Sequence, residues 1–176
     1  MHTICSTREA TWRRRRRHSR RCARRGRGGE AQQARPRPAD SAAQLFLYFG
    51  HGGGQRYLPA AALRRVRTRA AALLMGCSSG ALPACGDFPP AGIALAYLAA
   101  GCPSVVANLW DVTDRDIDRF AETLLRAWLD GAAAPGAADV TTGLETARAA
   151  CRLPALTGAA PVCYGLPAGL WRSDAP

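Results

Sequence analysis

Two residues pair the types needed for nucleophilic catalysis. His51 lies in Gly50-His51-Gly52-Gly53-Gly54, and Cys77 lies in Gly76-Cys77-Ser78-Ser79-Gly80. A thiolate is a strong nucleophile, and a neighbouring imidazole can accept the thiol proton or stabilise the thiolate as imidazolium. The second string also matches G-x-S-x-G, the turn that exposes a nucleophilic serine in α/β-hydrolases, and His51-Gly52-Gly53-Gly54 matches their oxyanion-hole motif. On that reading Ser78 is the nucleophile of a serine esterase. Those enzymes draw their histidine from after the serine, whereas the histidines here are His2, His18 and His51. Any histidine-assisted nucleophile in the folded part must therefore use His51. Cysteine also needs less activation than serine, so a Cys77–His51 dyad is preferred over Ser78. The plain alternative is a buried structural cysteine and a histidine that merely occupies a turn.

Each of the two residues follows a short apolar run. Residues 45–49 read Leu45-Phe46-Leu47-Tyr48-Phe49, and residues 71–75 read Ala71-Ala72-Leu73-Leu74-Met75. Runs of this length bounded by glycine read as buried strands. Residues 59–68 between them suit one helix, with Pro59 in its first turn. Strand, crossover helix and strand make a βαβ unit with parallel strands. If the strands are neighbours, about 4.8 Å apart, His51 and Cys77 share the rim outside their carboxyl ends, where open α/β sheets bind ligands.

The later chain continues the alternation. Residues 76–90 read as a loop, 92–100 as an apolar helix ended by Gly101 and Pro103, and 104–109 as a third strand. Thr113 suits an N-cap, with Asp114 and Asp116 favourable near the positive helix end. The helix from there to about residue 129 carries an apolar stripe of Ile117, Phe120, Ala121, Leu124, Leu125 and Trp128. Thr142 and Glu145 fit a capping box for another helix, ending near Cys151. Residues 161–166 could form a fourth strand. Strands alternating with helices predict an α/β fold with a mostly parallel sheet.

Composition narrows the function classes. The net charge of +11 is unevenly placed, because residues 1–40 hold 13 of the 24 basic residues and three of the 13 acids. The remainder, with 11 basic and ten acidic residues, is nearly neutral. Nucleic-acid binding is therefore an expectation for the Arg-rich tail 1–40 only, which is too polar to form a core and should be disordered. There is no lysine, which excludes lysine Schiff-base chemistry and a P-loop lysine. The seven cysteines contain no C-x-x-C pair, so neither a zinc site nor any other metal or cofactor is expected. The absence of an apolar leader before residue 40 points to an intracellular, reduced protein. Residues 88–110 carry no charge, but Gly101, Pro103 and Asn108 interrupt them, and a helix followed by a strand fits better than a membrane span.

From Leu45 to Leu166 the chain resembles the C-terminal protease domain of separases. The strings that carry the resemblance include Tyr48-Phe49-Gly50-His51-Gly52, Leu74-Met75-Gly76-Cys77-Ser78-Ser79, Ala100-Gly101-Cys102-Pro103 and Asn108-Leu109-Trp110-Asp111-Val112-Thr113-Asp114. Asp116-Ile117-Asp118-Arg119-Phe120, Gly158-Ala159-Ala160-Pro161 and Tyr164-Gly165-Leu166-Pro167 follow in the same order. The resemblance implies a caspase-like three-layer sandwich, His51 as general base and Cys77 as nucleophile. It also implies cleavage after arginine in a kleisin subunit of cohesin, control by securin, a role in sister chromatid separation, and residence in nucleus and cytoplasm. The backbone N–H groups of Gly52 and Cys77 are the expected oxyanion donors, since glycine lets the backbone approach closely. Arginine before the scissile bond needs a carboxylate, and Asp111, Asp114, Asp116 and Asp118 follow the third strand. Asp118 is the first choice and Asp111 the second. Such domains carry two further strands before the histidine strand, for which residues 1–40 offer no pattern. The expectation is a fragment whose first strand is an exposed apolar edge. A catalytically inactive fragment with a nucleic-acid-binding tail is the non-enzymatic alternative.

Overall fold

The structure, a computed structural model, describes residues 44–131 and 139–169. The Arg-rich tail lies outside the described residues. Four strands form one sheet in the order β1 (Leu45–Tyr48), β2 (Ala71–Leu74), β3 (Ser104–Asn108) and β4 (Pro161–Gly165). The pairs β1–β2 and β2–β3 are parallel, and β4 runs antiparallel to β3. β2 and β3 are buried along their whole length, as central strands covered on both faces should be; β2 is apolar throughout, and β3 is apolar between Ser104 and Asn108. β1 is only half-buried and, among the described residues, pairs on one side alone.

Alternate side chains along the strands point to opposite faces and build two cores. Leu73, Met75 and Val106 pack with α3 (Asp114–Gly131) and α4 (Val140–Ala149). Ala72, Leu74, Val105 and Ala107 pack with α2 (Ile93–Ala99) and with Leu63 of α1 (Ala60–Leu63). The result is a three-layer α/β/α arrangement. The expected stripe of α3 is buried from Ile117 to Trp128 and fills one layer.

Two local expectations need correction. The helix expected over 59–68 is a single turn, Ala60–Leu63. Beyond it Arg64 and Arg67 would sit as like charges three apart, and Val66 and Thr68 are poor helix formers. The chain leaves the helix instead, and the Thr68 N–H bonds to the Ala100 carbonyl at 2.9 Å. The capping box of Thr142 and Glu145 is not formed, because the helix starts earlier. Asp139 is the N-cap, and its carboxylate accepts the N–H groups of Thr141 at 2.8 Å and Thr142 at 2.9 Å. The segment before β4, for which no element is expected above, is a π-helical turn, Pro154–Gly158. No described helix is long and apolar enough to cross a membrane.

Candidate active site

The register of β1 and β2 sets His51 and Cys77 at one level. Tyr48 pairs with Leu74, and each chemical residue follows three positions later. The Met75 N–H extends the pairing to the Tyr48 carbonyl at 2.8 Å. Beyond it the two turns touch through their backbones at Gly76. A Cβ at that position would overlap the carbonyl oxygens of Gly50 and Gly52, so only glycine lets the histidine turn meet the cysteine turn. Gly52 adopts φ 60° and Gly54 φ 81°, left-handed conformations that glycine takes without strain. Gln55 Oε1 accepts the Gly53 N–H at 2.9 Å, and the Tyr48 hydroxyl donates to the His51 carbonyl at 2.9 Å. These bonds hold the backbone of the turn and leave the His51 residue exposed.

Cys77 is half-buried on the other side of this contact. Its S–H donates to the Val112 carbonyl at 3.4 Å, and the Val112 N–H donates back to the sulfur at 3.5 Å. Ser78 is the only described non-glycine residue with positive φ, at 52°. Its N–H bonds to the Trp110 carbonyl at 3.1 Å, and its hydroxyl donates to Asp111 Oδ1 at 2.7 Å. A serine held in this region costs about 1–3 kcal/mol unless its surroundings fix it, and these two bonds do so. Among the described residues, no acceptor lies within hydrogen-bond reach of the Gly52 or Cys77 backbone N–H.

Beneath the turn lies a buried polar network. The Ser79 hydroxyl donates to the Leu74 carbonyl at 2.6 Å and accepts the Asn108 N–H at 3.0 Å. Asn108 Nδ2 donates to the Gly76 carbonyl at 3.0 Å. The Asn108 carbonyl accepts the Gly80 N–H at 2.8 Å, and the Tyr164 hydroxyl donates to the Gly80 carbonyl at 2.6 Å. No role for Asn108 is evident in the sequence; its signal is a carboxamide that closes the apolar run Val105–Ala107.

The four acids after β3 separate in the structure. Asp111 is at the rim, bonded by Ser78. Asp114 and Asp118 are exposed residues of α3. Asp116 is 3 % exposed and accepts the N–H groups of Arg152 at 3.1 Å and Leu153 at 3.2 Å, with the Arg119 guanidinium at 3.2 Å. It fastens α3 to the turn before β4 and is not available to a substrate. Its backbone partners Arg152 and Leu153 lie 36 and 37 positions away, so nothing local announced this role. That same π-helical turn reaches the rim, where the Trp110 indole N–H donates to the Leu156 carbonyl at 2.9 Å.

Burial pushes the Cys102 thiol up to about 11 and also raises those of Cys151 and Cys163. Those three thiols stay protonated near neutral pH, as structural cysteines do. Cys77 differs from them by its place at the glycine-rich rim. The arrangement can present a sulfur to a carbonyl carbon, with an imidazole-bearing turn in backbone contact beside it.

A family model described as separin, protease domain, matches residues 33–117. The chain is 52 % identical to the separin of Schizosaccharomyces pombe over 127 residues, which covers 70 % of this chain and 7 % of that protein. It is 54 % identical to the Mus musculus separin over 126 residues, covering 72 % of this chain and 6 % of that one. The crystal structure of the Saccharomyces cerevisiae separase–securin complex at 3.0 Å resolution superposes with a TM-score of 0.65 at 42 % identity, covering 72 % of this chain and 8 % of that chain. The chain thus spans less than a tenth of the length of these relatives. The strings around His51 and Cys77, the three-layer sheet that aligns them and these likenesses together show that the chain belongs to the separin protease-domain family.

Proposed function

We propose that the chain carries the catalytic core of a cysteine endopeptidase with Cys77 as nucleophile and His51 as general base. The observation that carries this reading is the backbone contact of Gly76 with Gly50 and Gly52, which joins the cysteine turn to the histidine turn at one register. His51 takes the Cys77 thiol proton, and the sulfur adds to the scissile carbonyl carbon. The oxyanion that forms is met by the N–H groups of Gly52 and Cys77. The tetrahedral species expels the amine, which leaves with the proton from His51, and a thioester remains. Water, deprotonated by His51, hydrolyses the thioester and regenerates the thiol.

The substrate in this proposal is a kleisin subunit of cohesin, cut after arginine, with Asp118 or Asp111 pairing the guanidinium. The solved neighbours are separase–securin complexes, which supports a securin as inhibitory partner. The proposal includes residence in nucleus and cytoplasm and a role in chromosome segregation. The deciding experiment is hydrolysis of an arginine-containing kleisin peptide by the chain and by Cys77→Ser and His51→Ala variants. Cleavage by the parent and by neither variant is the expected result. Cleavage that survives both substitutions would remove the dyad.

A second reading is favoured by one observation, the positive φ of Ser78, which is the backbone habit of a hydrolase nucleophile elbow. In it Ser78 attacks an ester. Its hydroxyl, however, donates to a carboxylate at the rim rather than to an imidazole. Esterase activity lost in Ser78→Ala and kept in Cys77→Ser would establish this reading.

A further inference from the structure

We infer that Asn108 is a positioning residue that aims the Cys77 N–H at the oxyanion, an inference that rests on the peptidase reading above. Asn108 ends β3 and is fully buried. Its carboxamide nitrogen donates to the Gly76 carbonyl, and its main chain bonds Ser79 and Gly80. One residue therefore grips the cysteine turn before and after Cys77. The Gly76–Cys77 peptide is trans, since no cis bond is present. In a planar trans peptide the C=O and the following N–H point in opposite directions. A Gly76 carbonyl drawn onto the Asn108 carboxamide turns the Cys77 N–H away from it, and no described acceptor meets that N–H.

The other described donor to the Gly76 carbonyl is the Ser79 N–H at a long 3.4 Å, which is too weak to fix the peptide plane by itself. The Asn108 Oδ1 atom, by contrast, is buried without a hydrogen-bond partner among the described residues. A buried amide that satisfies only its donor end is a poor choice for stability and suits a residue kept for the bond its donor makes. The structure thus assigns the carboxamide N–H, not the volume of the side chain, to the function. Glycine at 76 adds a peptide unit that can rotate easily, so it needs such a clamp.

Asn108→Asp keeps the shape and replaces the donor by an acceptor facing the Gly76 carbonyl, which should swing that peptide. Asn108→Ala removes the donor. In both, kcat for an arginine peptide should fall about 10²-fold with KM nearly unchanged, the loss expected for one oxyanion donor. Alkylation of Cys77 by iodoacetamide, followed on its own peptide by mass spectrometry, forms no oxyanion and should keep its rate within about twofold. Affinity for a peptide aldehyde, whose carbonyl adds the Cys77 S–H to give a hemithioacetal, should fall in step with kcat. Parent-like kcat in folded variants overturns the inference, and so does an equal loss in alkylation, which would mean a general collapse of the site. If neither variant folds, a crystal structure of the parent aldehyde adduct decides. A hemithioacetal oxygen about 3 Å from the Cys77 nitrogen, with the Gly76 carbonyl on Asn108, upholds the assignment, and an oxygen turned elsewhere removes it. A parent chain that neither cleaves the peptide nor binds the aldehyde brings down the peptidase reading itself, and this inference with it.

Discussion

The Cys77 sulfur is clasped by the two peptide groups that flank Val112, 3.4 Å from the carbonyl oxygen and 3.5 Å from the nitrogen. The segment after β3 thereby walls the Cys77 sulfur, and Ser78 adds bonds to Trp110 and Asp111 of the same segment. The Gly50–Gly52 backbone closes on Gly76, the residue before Cys77. Both contacts are made by main chain. They depend on register and on glycine rather than on side-chain identity, and in the proposed reaction the thiol must release the hydrogen that it gives to Val112.

The two neighbours Cys77 and Ser78 are separable by mutation. Cys77→Ser should reduce hydrolysis of an arginine peptide by about 10³-fold or more, since removing a nucleophile leaves only binding and oxyanion stabilisation. Ser78→Ala should keep the rate within several-fold, because its hydroxyl serves Asp111. Steady-state kinetics on both proteins checks this, and a dead Ser78→Ala with an active Cys77→Ser reverses the assignment.

Gly76 is required for space. Gly76→Ala places a methyl group onto two carbonyl oxygens, so either the histidine turn or the cysteine turn must move. Overpacking of this kind costs about 1–3 kcal/mol or more. Gly86→Ala is the control, since nothing lies within 4 Å of its Cβ and only its φ of 63° is strained. Urea unfolding should show the larger loss for Gly76→Ala, together with loss of peptide cleavage. Equal midpoints for the two variants would mean the turns do not touch as described.

Asp139 caps α4, and hydrogen bonds from Thr141 and Thr142 hold its carboxyl below the usual carboxylate value. A carboxyl lowered in the folded state stabilises it when ionised. The contribution is complete above the unfolded value near 4 and fades as pH falls through the lowered folded value. Asp139→Ala should therefore cost about 0.5–2 kcal/mol at pH 7, the usual worth of an N-cap. The gap from the parent should narrow at pH about 3. A gap that widens in acid would show that the carboxylate is not the capping group.

The parts of the fold that were legible in the sequence are those whose pattern is local. Ala71–Leu74 and Val105–Ala107 are apolar because both faces are covered, and the α3 stripe repeats at helical spacing. His51 and Cys77 stood out because glycines follow apolar runs at both places. What escaped is decided by distant partners. The extent of α1 depends on Thr68 bonding to Ala100, and Asp116 looks like a helix-terminal charge until the Arg152 and Leu153 N–H groups close on it. The α4 start was misplaced because Thr142 offers a capping signal that Asp139 outcompetes three residues earlier.

The proposed cleavage after arginine requires an acid at the rim to select it. A Cys–His dyad and backbone oxyanion donors would not sense the side chain before the scissile bond, so the proposal requires a carboxylate nearby. Asp116 is excluded by its burial and by its bonds to Arg119, Arg152 and Leu153. Asp111 is at the rim, but its Oδ1 already accepts the Ser78 hydroxyl, which counts against it as a two-oxygen partner for a guanidinium fork. In the proposed complex Asp118 pairs the guanidinium, and Asp118→Asn should lower kcat/KM for an arginine peptide by about 3–5 kcal/mol, the cost of leaving a desolvated charge unpaired. Asp111→Asn should cost far less, and Ser78→Ala should cost no more than Asp111→Asn. Arginine should outrank lysine in the parent, because an ammonium engages a carboxylate only as a point charge. Measured kcat/KM values for matched arginine and lysine peptides on the parent and the three variants check each step. An arginine preference undiminished in both acid variants would place the selecting carboxylate elsewhere while leaving the dyad untouched.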